Sequence, residues 1–321
     1  MKRRLILLGS LVFVASNVVA FLHAWRFTHF SDEGGVHSPN PEQLTTSHKL
    51  WVLLTGVRNP KPQNLLEPSF AVQNITIDSP NGPLSAWYAR PPAATPRGTV
   101  ALFHGYTGSK AHLLHEASYF RRLGYAVLLV DQTGNGNSAG TRTTIGYREA
   151  DDVAAAVQYL RAQKTAASPD SLILYGVSMG AVAIMRAEAE LGIKADINIL
   201  ECPYGTMRQT VYNRFHSMHV PAFPLADMLV FWGGVQNGFW AYSLQGEEFA
   251  RRITTPTLLL WGTADPRVTR AETDAIFANL AGPKQRLDFD GSGHEPYWLK
   301  HPEAWQEVVI NFLDNHKART R

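Results

Sequence analysis

Short apolar segments alternating with stretches of helical spacing restrict this chain more than any other feature of its sequence. The segments are residues 99–104 (TVALFH), 125–131 (YAVLLVD), 171–176 (SLILYG), 196–201 (DINILE), 257–262 (TLLLWG) and 285–290 (QRLDFD). Runs this uniformly apolar suit strands whose two faces are both covered. Helical patterns near residues 111–122, 147–163, 180–191, 269–280 and 302–315 lie between and after them. The alternation predicts a mostly parallel sheet with helices on both sides. Residues 72–77 and 84–89 instead alternate polar with apolar around Asn81-Gly82, which predicts an antiparallel hairpin leading into that sheet. Asn74-Ile75-Thr76 has the form of a glycosylation acceptor, but it falls in a predicted strand.

The 321 residues suffice for one large α/β domain or two small ones. Lys2, Arg3 and Arg4 account for the whole net charge of +3, so the body of the chain is neutral and offers no basic face for nucleic acid. Cys202 is the single cysteine, which excludes an intrachain disulfide and a cysteine-based metal site. The three basic residues precede an uncharged, mostly apolar run from Leu5 to Trp25. At about 1.5 Å per residue that run approaches the ~30 Å hydrocarbon core of a bilayer. Residues 1–30 are therefore expected to act as an uncleaved membrane anchor. A signal peptide cleaved after Val18-Val19-Ala20, releasing a secreted protein, is the alternative. Either way the basic cluster stays in the cytoplasm and the bulk of the chain lies outside, as in a bacterial envelope.

Residues 31–69 carry Gly34, Gly35 and several prolines around the apolar patch 50–56 (LWVLLTG), and read as a linker and docking arm. Residues 70–321 then form the α/β domain, interrupted at about 204–252 by a strand-free insertion. Tyr204, Tyr212, Phe215, Phe231, Trp232 and Trp240 are among its aromatics. An insertion after a strand's carboxyl end is where a cap over an active site is expected.

In open parallel sheets, sites form at the carboxyl ends of strands. After Tyr175 comes Gly176-Val177-Ser178-Met179-Gly180, and a helical pattern of small residues follows. A serine on so sharp a strand-to-helix turn takes an unfavourable backbone conformation that lifts its hydroxyl clear, and the glycines on either side avoid clashes. Ser178 is thus the candidate nucleophile. A serine at neutral pH needs a base, and the base needs an orienting carboxylate. Asp265 lies just beyond the strand 257–262, and His294 lies in the loop Gly291-Ser292-Gly293-His294-Glu295 after the strand 285–290. Asp290 and Glu201 rival Asp265 by strand-end position alone. His301 and His316, in or beside the last predicted helix, are expected to face solvent. The developing oxyanion of acyl transfer also needs donors, for which the backbone N–H groups of Met179 and Tyr106 are the candidates. His104 more simply orders its own loop by hydrogen bonding.

Taken together, residues 104–108 (HGYTG), 131–138 (DQTGNGNS), 176–180 (GVSMG), 262–268 (GTADPRV) and 293–295 (GHE) resemble the α/β-hydrolase superfamily. The similarity is greatest to its bacterial serine-aminopeptidase and monoacylglycerol-lipase-like branch and spans roughly residues 72–316. The resemblance implies an α/β-hydrolase fold, with Ser178 as nucleophile, Asp265 as acid, His294 as base, and Tyr106 and Met179 as oxyanion donors. It departs from the family at Thr133, where relatives usually carry an arginine that supports the loop. No cofactor or metal is implied: no H-E-x-x-H spacing occurs, and Gly134, Gly136 and Gly140 lack both the P-loop lysine and the dinucleotide pattern. The expected function is hydrolysis of carboxylic esters bearing an apolar acyl or alcohol group. Asp227 is the only acid in 204–246, where a peptidase specific for free amines would want an acidic pocket. An aminopeptidase or amidase is the alternative, and a non-catalytic anchored binding protein of the same fold a more remote one. Oligomeric state leaves no trace in the sequence.

Overall fold

The computed structural model describes residues 1–31, 38, 45–93, 95–163 and 171–316. Part of the expected linker, residues 32–37 and 39–44, lies outside the described residues. Helices α1 (Lys2–Thr28) and α2 (Thr46–Thr55) come first, followed by the hairpin of β1 (Gln73–Ile77) and β2 (Leu84–Ala89) and then β3 (Thr99–Phe103). Next come α3 (Leu114–Arg122), β4 (Ala126–Val130), α4 (Glu149–Ala162), β5 (Leu172–Val177), α5 (Met179–Glu190) and β6 (Ile197–Glu201). Helices α6 (Met207–Ser217), α7 (Leu225–Asn237) and α8 (Gly246–Ala250) occupy the insertion. The chain closes with β7 (Thr257–Gly262), α9 (Arg270–Asn279), β8 (Lys284–Phe289), α10 (Tyr297–Lys300) and α11 (Pro302–Asn315). Every strand expected from the sequence is present, with boundaries moved by about one residue. The apolar patch at residues 50–56 falls largely in α2, opened by Thr45, whose hydroxyl accepts from the backbone N–H of His48.

The chain forms two compact units, Met1–Pro60 with Thr206–Leu244, and Lys61–Gly205 with Gln245–Arg321. The second holds an eight-stranded sheet in the order β1-β2-β4-β3-β5-β6-β7-β8. Antiparallel pairing joins β1 to β2 and β2 to β4, and every other pairing is parallel. Strands β4, β6 and β7 are buried along their whole length, which is why β4 reads as an unbroken apolar run, although β6 carries the buried Asn198 and Glu201. Below one face, the rings of Phe120, Tyr175 and Trp305 meet edge to face, with centroids 5.8–6.2 Å apart. Helix α11 starts with Pro302 in its first turn and buries Trp305, Val309 and Phe312 at helical spacing.

The first unit is helical. Here α1 and α7 pack along one another: Trp232 Nε1 donates to Asn17 Oδ1 at 3.2 Å, and Gln236 Nε2 donates to the carbonyl of Phe21 at 2.8 Å. Ala20, Ala24 and Thr28 are the buried residues of α1, spaced by one helical turn. Small side chains on one stripe let a second helix approach closely.

Candidate active site

Ser178 stands between β5 and α5 with φ 51° and ψ −108°, a backbone conformation that costs a non-glycine residue roughly 1–3 kcal/mol. Both ends of the turn are held. Its N–H donates to the carbonyl of Glu201 at 2.8 Å, and its carbonyl accepts from Val182 at 3.0 Å. The glycines flanking the serine are required by space. A Cβ on Gly176 would stand 2.7 Å from the backbone of Gly180 and Ala181, and one on Gly180 would stand 2.3 Å from the carbonyl oxygen of Phe103. Strand β3 and helix α5 therefore meet across Gly180 with no room for a side chain.

His294 reaches this serine from the loop after β8, its Nε2 lying 3.0 Å from Ser178 Oγ. Its Nδ1 lies 2.7 Å from Asp265 Oδ2. The other carboxylate oxygen of Asp265 accepts from the N–H groups of Arg267 at 2.7 Å and Val268 at 3.0 Å, which leaves it one orientation. With its carboxylate closed off from water, the aspartate holds the imidazole so that Nε2 faces the hydroxyl. The rival carboxylates lie elsewhere. Asp290 is exposed and accepts from Thr263 Oγ1, whereas Glu201 turns into the core and accepts from the Trp305 indole.

Met179 is the first residue of α5, where backbone N–H groups have no carbonyl one turn back to bond. Tyr106 belongs to the loop after β3, which borders the serine: a Cβ on Gly105 would lie 3.6 Å from that of Ser178. His104 orders this loop, since Gln132 N donates to its Nε2 at 3.1 Å and the Gln132 side chain donates to its carbonyl at 2.7 Å. Burial lowers the His104 pKa, which favours the neutral ring that this acceptor role requires.

The loops at 104–110 and 131–138 are tied by a feature without a local sequence signature. Lys110 Nζ pairs with Asp131 Oδ2 at 2.6 Å, and neither side chain is exposed. Asp131 also accepts from Lys110 N, Asn64 Nδ2 and Asn137 N, and Lys110 Nζ donates to Ser85 Oγ as well. Thr133, in the place of the family's usual arginine, donates through both N–H and hydroxyl to the buried Asp152.

Two expectations need correction. His301 is half-buried rather than solvent-facing: it bonds Ser292 Oγ through Nε2 at 2.8 Å and stacks on Phe289. His316 is likewise half-buried, with its Nδ1 3.0 Å from the carbonyl of Phe312. Sequence reasoning placed Glu201 only at a strand end and missed that it is buried near a second acid, Glu116. Burial, reinforced by Glu201, raises the Glu116 pKa to about 8, and burial raises that of Glu201 to about 7. Cys202, Asp265 and His294 bring potential metal-ligand atoms within 4.8 Å of one another. Asp265 and His294 are already paired there, and burial pushes the Cys202 thiol well up, so the cysteine is no ready thiolate ligand.

A family model described as serine aminopeptidase, S33, matches residues 94–230. The uncharacterized protein YqkD of Bacillus subtilis is 28% identical over 232 residues, covering 71% of this chain and 75% of that one. The Pyrococcus furiosus esterase Pf2001 superposes with a TM-score of 0.65 at 21% identity, over 81% of this chain and 99% of the esterase. A thermostable carboxyl esterase from Bacillus coagulans follows at 0.60 and 18% identity, over 78% of this chain and all of the esterase. With its sheet order, its antiparallel entry hairpin and its serine at the β5–α5 turn, the chain has the α/β-hydrolase fold.

Proposed function

We propose that the protein is a membrane-anchored serine hydrolase that cleaves carboxylic esters with an apolar acyl or alcohol group through an acyl-enzyme. The observation that carries this reading is the unbroken line from Ser178 Oγ through the His294 ring to Asp265, at 3.0 and 2.7 Å. Ser178 Oγ attacks the ester carbonyl while His294 Nε2 takes its proton. The N–H groups of Met179 and Tyr106 receive the oxyanion, where losing one such donor costs about 3 kcal/mol of barrier. His294 then protonates the departing alcohol, leaving Ser178 acylated. A water molecule, deprotonated by His294, attacks the acyl carbon and releases the acid and the free serine. Asp265 keeps Nε2 facing the serine throughout and stabilises the imidazolium. The basic residues in the first turn of α1 stay in the cytoplasm, so the catalytic unit works outside it.

An aminopeptidase reading draws support from the description of the matching family. Against it, Asp227, the single acid between 204 and 246, is already engaged by Arg208 at 2.7 Å and by the hydroxyl of Tyr212, so it is no vacant anchor for a substrate ammonium. The two solved relatives named above are esterases. A fluorophosphonate probe tests the mechanism: the wild-type chain labels and Ser178→Ala does not, and equal labelling would refute the acyl-enzyme. Turnover of an ester series against aminoacyl amides decides the substrate class, with a preference for amides overturning the ester assignment.

A further inference from the structure

The loop that carries His294 has little stiffness of its own. Gly291-Ser292-Gly293 leads into the histidine, and Gly291 takes φ 66°, so two of those three residues are of the type whose backbone is freest. His294 must nevertheless keep its Nε2 3.0 Å from Ser178 Oγ. One side of the loop is stitched to the turn that bears Asp265. There Ala264 N donates to the carbonyl of Ser292 and Gly291 N donates to Thr263 Oγ1, both at 2.9 Å. The other side meets the junction of α10 and α11, where two consecutive residues reach it. Lys300 Nζ donates to the carbonyl of Gly291 at 2.8 Å and to Glu295 Oε1 at 2.9 Å. The same oxygen of Glu295 accepts from the N–H of Gly293 at 3.0 Å. His301, next in the chain, bonds Ser292 Oγ.

We infer that Lys300 and Glu295 are positioning residues for the base, forming a clamp that spans the loop from Gly291 to Glu295 and fixes the His294 ring against Ser178. The inference rests on the reading of Ser178, His294 and Asp265 as a catalytic triad. The ammonium joins the two ends of the loop, while the Glu295 carboxylate folds back over the residue before the histidine. Backbone on both sides of His294 is thereby tied to one oxygen. Glu295 stays ionised for this task, since the Lys300 ammonium and the Gly293 N–H hold its carboxyl below the usual range. The support under the clamp is firm: Tyr297 on α10 and Trp305 on α11, on either side of Lys300, are fully buried. The pair itself is 43% and 42% exposed, and ion pairs so open to water add little to global stability. Its importance lies in where it sits, because a misplacement of ~1 Å in a reacting group can cost about 10²-fold in rate.

The test reads rate per active site in the full chain. Lys300→Met, Lys300→Arg and Glu295→Ala are reacted with a fluorophosphonate, whose end point counts reactive serines and whose time course gives their rate. A short-chain p-nitrophenyl ester supplies kcat and KM. Lys300→Met and Glu295→Ala should label to the same end point as the wild-type chain but about tenfold more slowly, with kcat reduced alike and KM within about twofold. Lys300→Arg keeps the charge and the reach to both acceptors, and should return the rate to within about threefold of wild type. Salt supplies a readout that a merely structural lysine would not move. Between 0.1 M and 1 M the screening length falls from about 10 Å to about 3 Å, which should slow the wild-type chain toward Lys300→Met and leave that variant unchanged. Tm should shift by no more than about 4 °C in any of the variants. If Lys300→Met labels at the wild-type rate, or salt slows both chains equally, the clamp fails and the triad stands. Incomplete labelling together with a Tm loss above about 10 °C would make the pair a stability element and overturn the inference. If the wild-type chain takes no label, or Ser178→Ala labels equally, the triad reading falls and the clamp with it.

Discussion

Replacing Lys110 with Met removes the ammonium from a fully buried ion pair while nearly preserving the side chain's length. The wild-type Nζ lies 2.6 Å from Asp131 Oδ2 and 4.7 Å from the centroid of the Trp87 ring, a contact that a thioether keeps. The carboxylate does not keep its partner. Deleting one member of a buried pair costs about 3–5 kcal/mol, because the other charge stays behind in a medium that cannot solvate it. Asp131 retains three neutral donors, the N–H groups of Lys110 and Asn137 and the amide of Asn64, which places the expected loss near the lower bound, about 3 kcal/mol. At roughly 2–4 °C per kcal/mol for a unit of this size, Lys110→Met should lower Tm by about 6–12 °C. Thermal unfolding followed by near-ultraviolet circular dichroism in detergent reads the shift. The double variant Lys110→Met/Asp131→Asn carries no stranded charge and should lose less than the two single variants together, by about 0.5–3 kcal/mol. A fall in Tm of less than about 2 °C, or strict additivity in the cycle, would refute the argument that this pair ties the two loops beside Ser178.

Other consequences can be checked directly. Gly180→Ala puts a Cβ 2.3 Å from the Phe103 carbonyl, so β3 and α5 must separate at a cost of about 1–3 kcal/mol. Chemical denaturation should show that loss together with slower fluorophosphonate labelling, whereas Gly233→Ala, whose Cβ meets nothing within 4 Å, should show neither. Glu116 supplies a pH dependence of defined sign. The folded chain holds its proton up to about pH 8, while the unfolded chain releases it near 4.5, so folding binds the proton throughout that interval and stability falls as pH rises across it. Glu116→Gln removes the dependence: its stability relative to wild type should climb from about pH 5 to pH 8 in urea titrations, and parallel curves would contradict the assignment.

Much of the sheet was legible because its information is local. A strand such as Ala126–Val130 is buried along its whole length, and that burial is written into five consecutive apolar residues. Ser178, Asp265 and His294 stand out for a related reason: each follows an expected strand, in a loop whose glycines or turn residues mark a sharp bend. The distances among them are properties of the folded sheet and cannot be read from spacing. Other features escaped because no local pattern announces them. Lys110 reads as a surface lysine until Asp131, twenty-one positions later, is seen to accept its charge in the core. Glu116 sits in a polar-looking helix, and its burial is set by the fold rather than by its neighbours in sequence. His301 was misjudged because the helical pattern after it says nothing of Ser292, which captures its ring. The partnership of α1 with α7 is the extreme case, since both look self-sufficient in sequence and neither names the other.

That partnership also imposes a schedule on biosynthesis. The contacts of Asn17 and Phe21 with Trp232 and Gln236 bridge 215 positions, so α1 leaves the ribosome long before its partner exists. At about 5–20 residues per second, the interval is roughly 10–40 s. For all of that time a helix whose exposed surface runs from Leu5 to Trp25 has no protein surface to lie against. Something other than the rest of the chain must shelter it, and insertion into a bilayer during synthesis would do so at once. Helix α7 would then arrive late, at a partner already held in place, and would assemble on a fixed template rather than find it by diffusion.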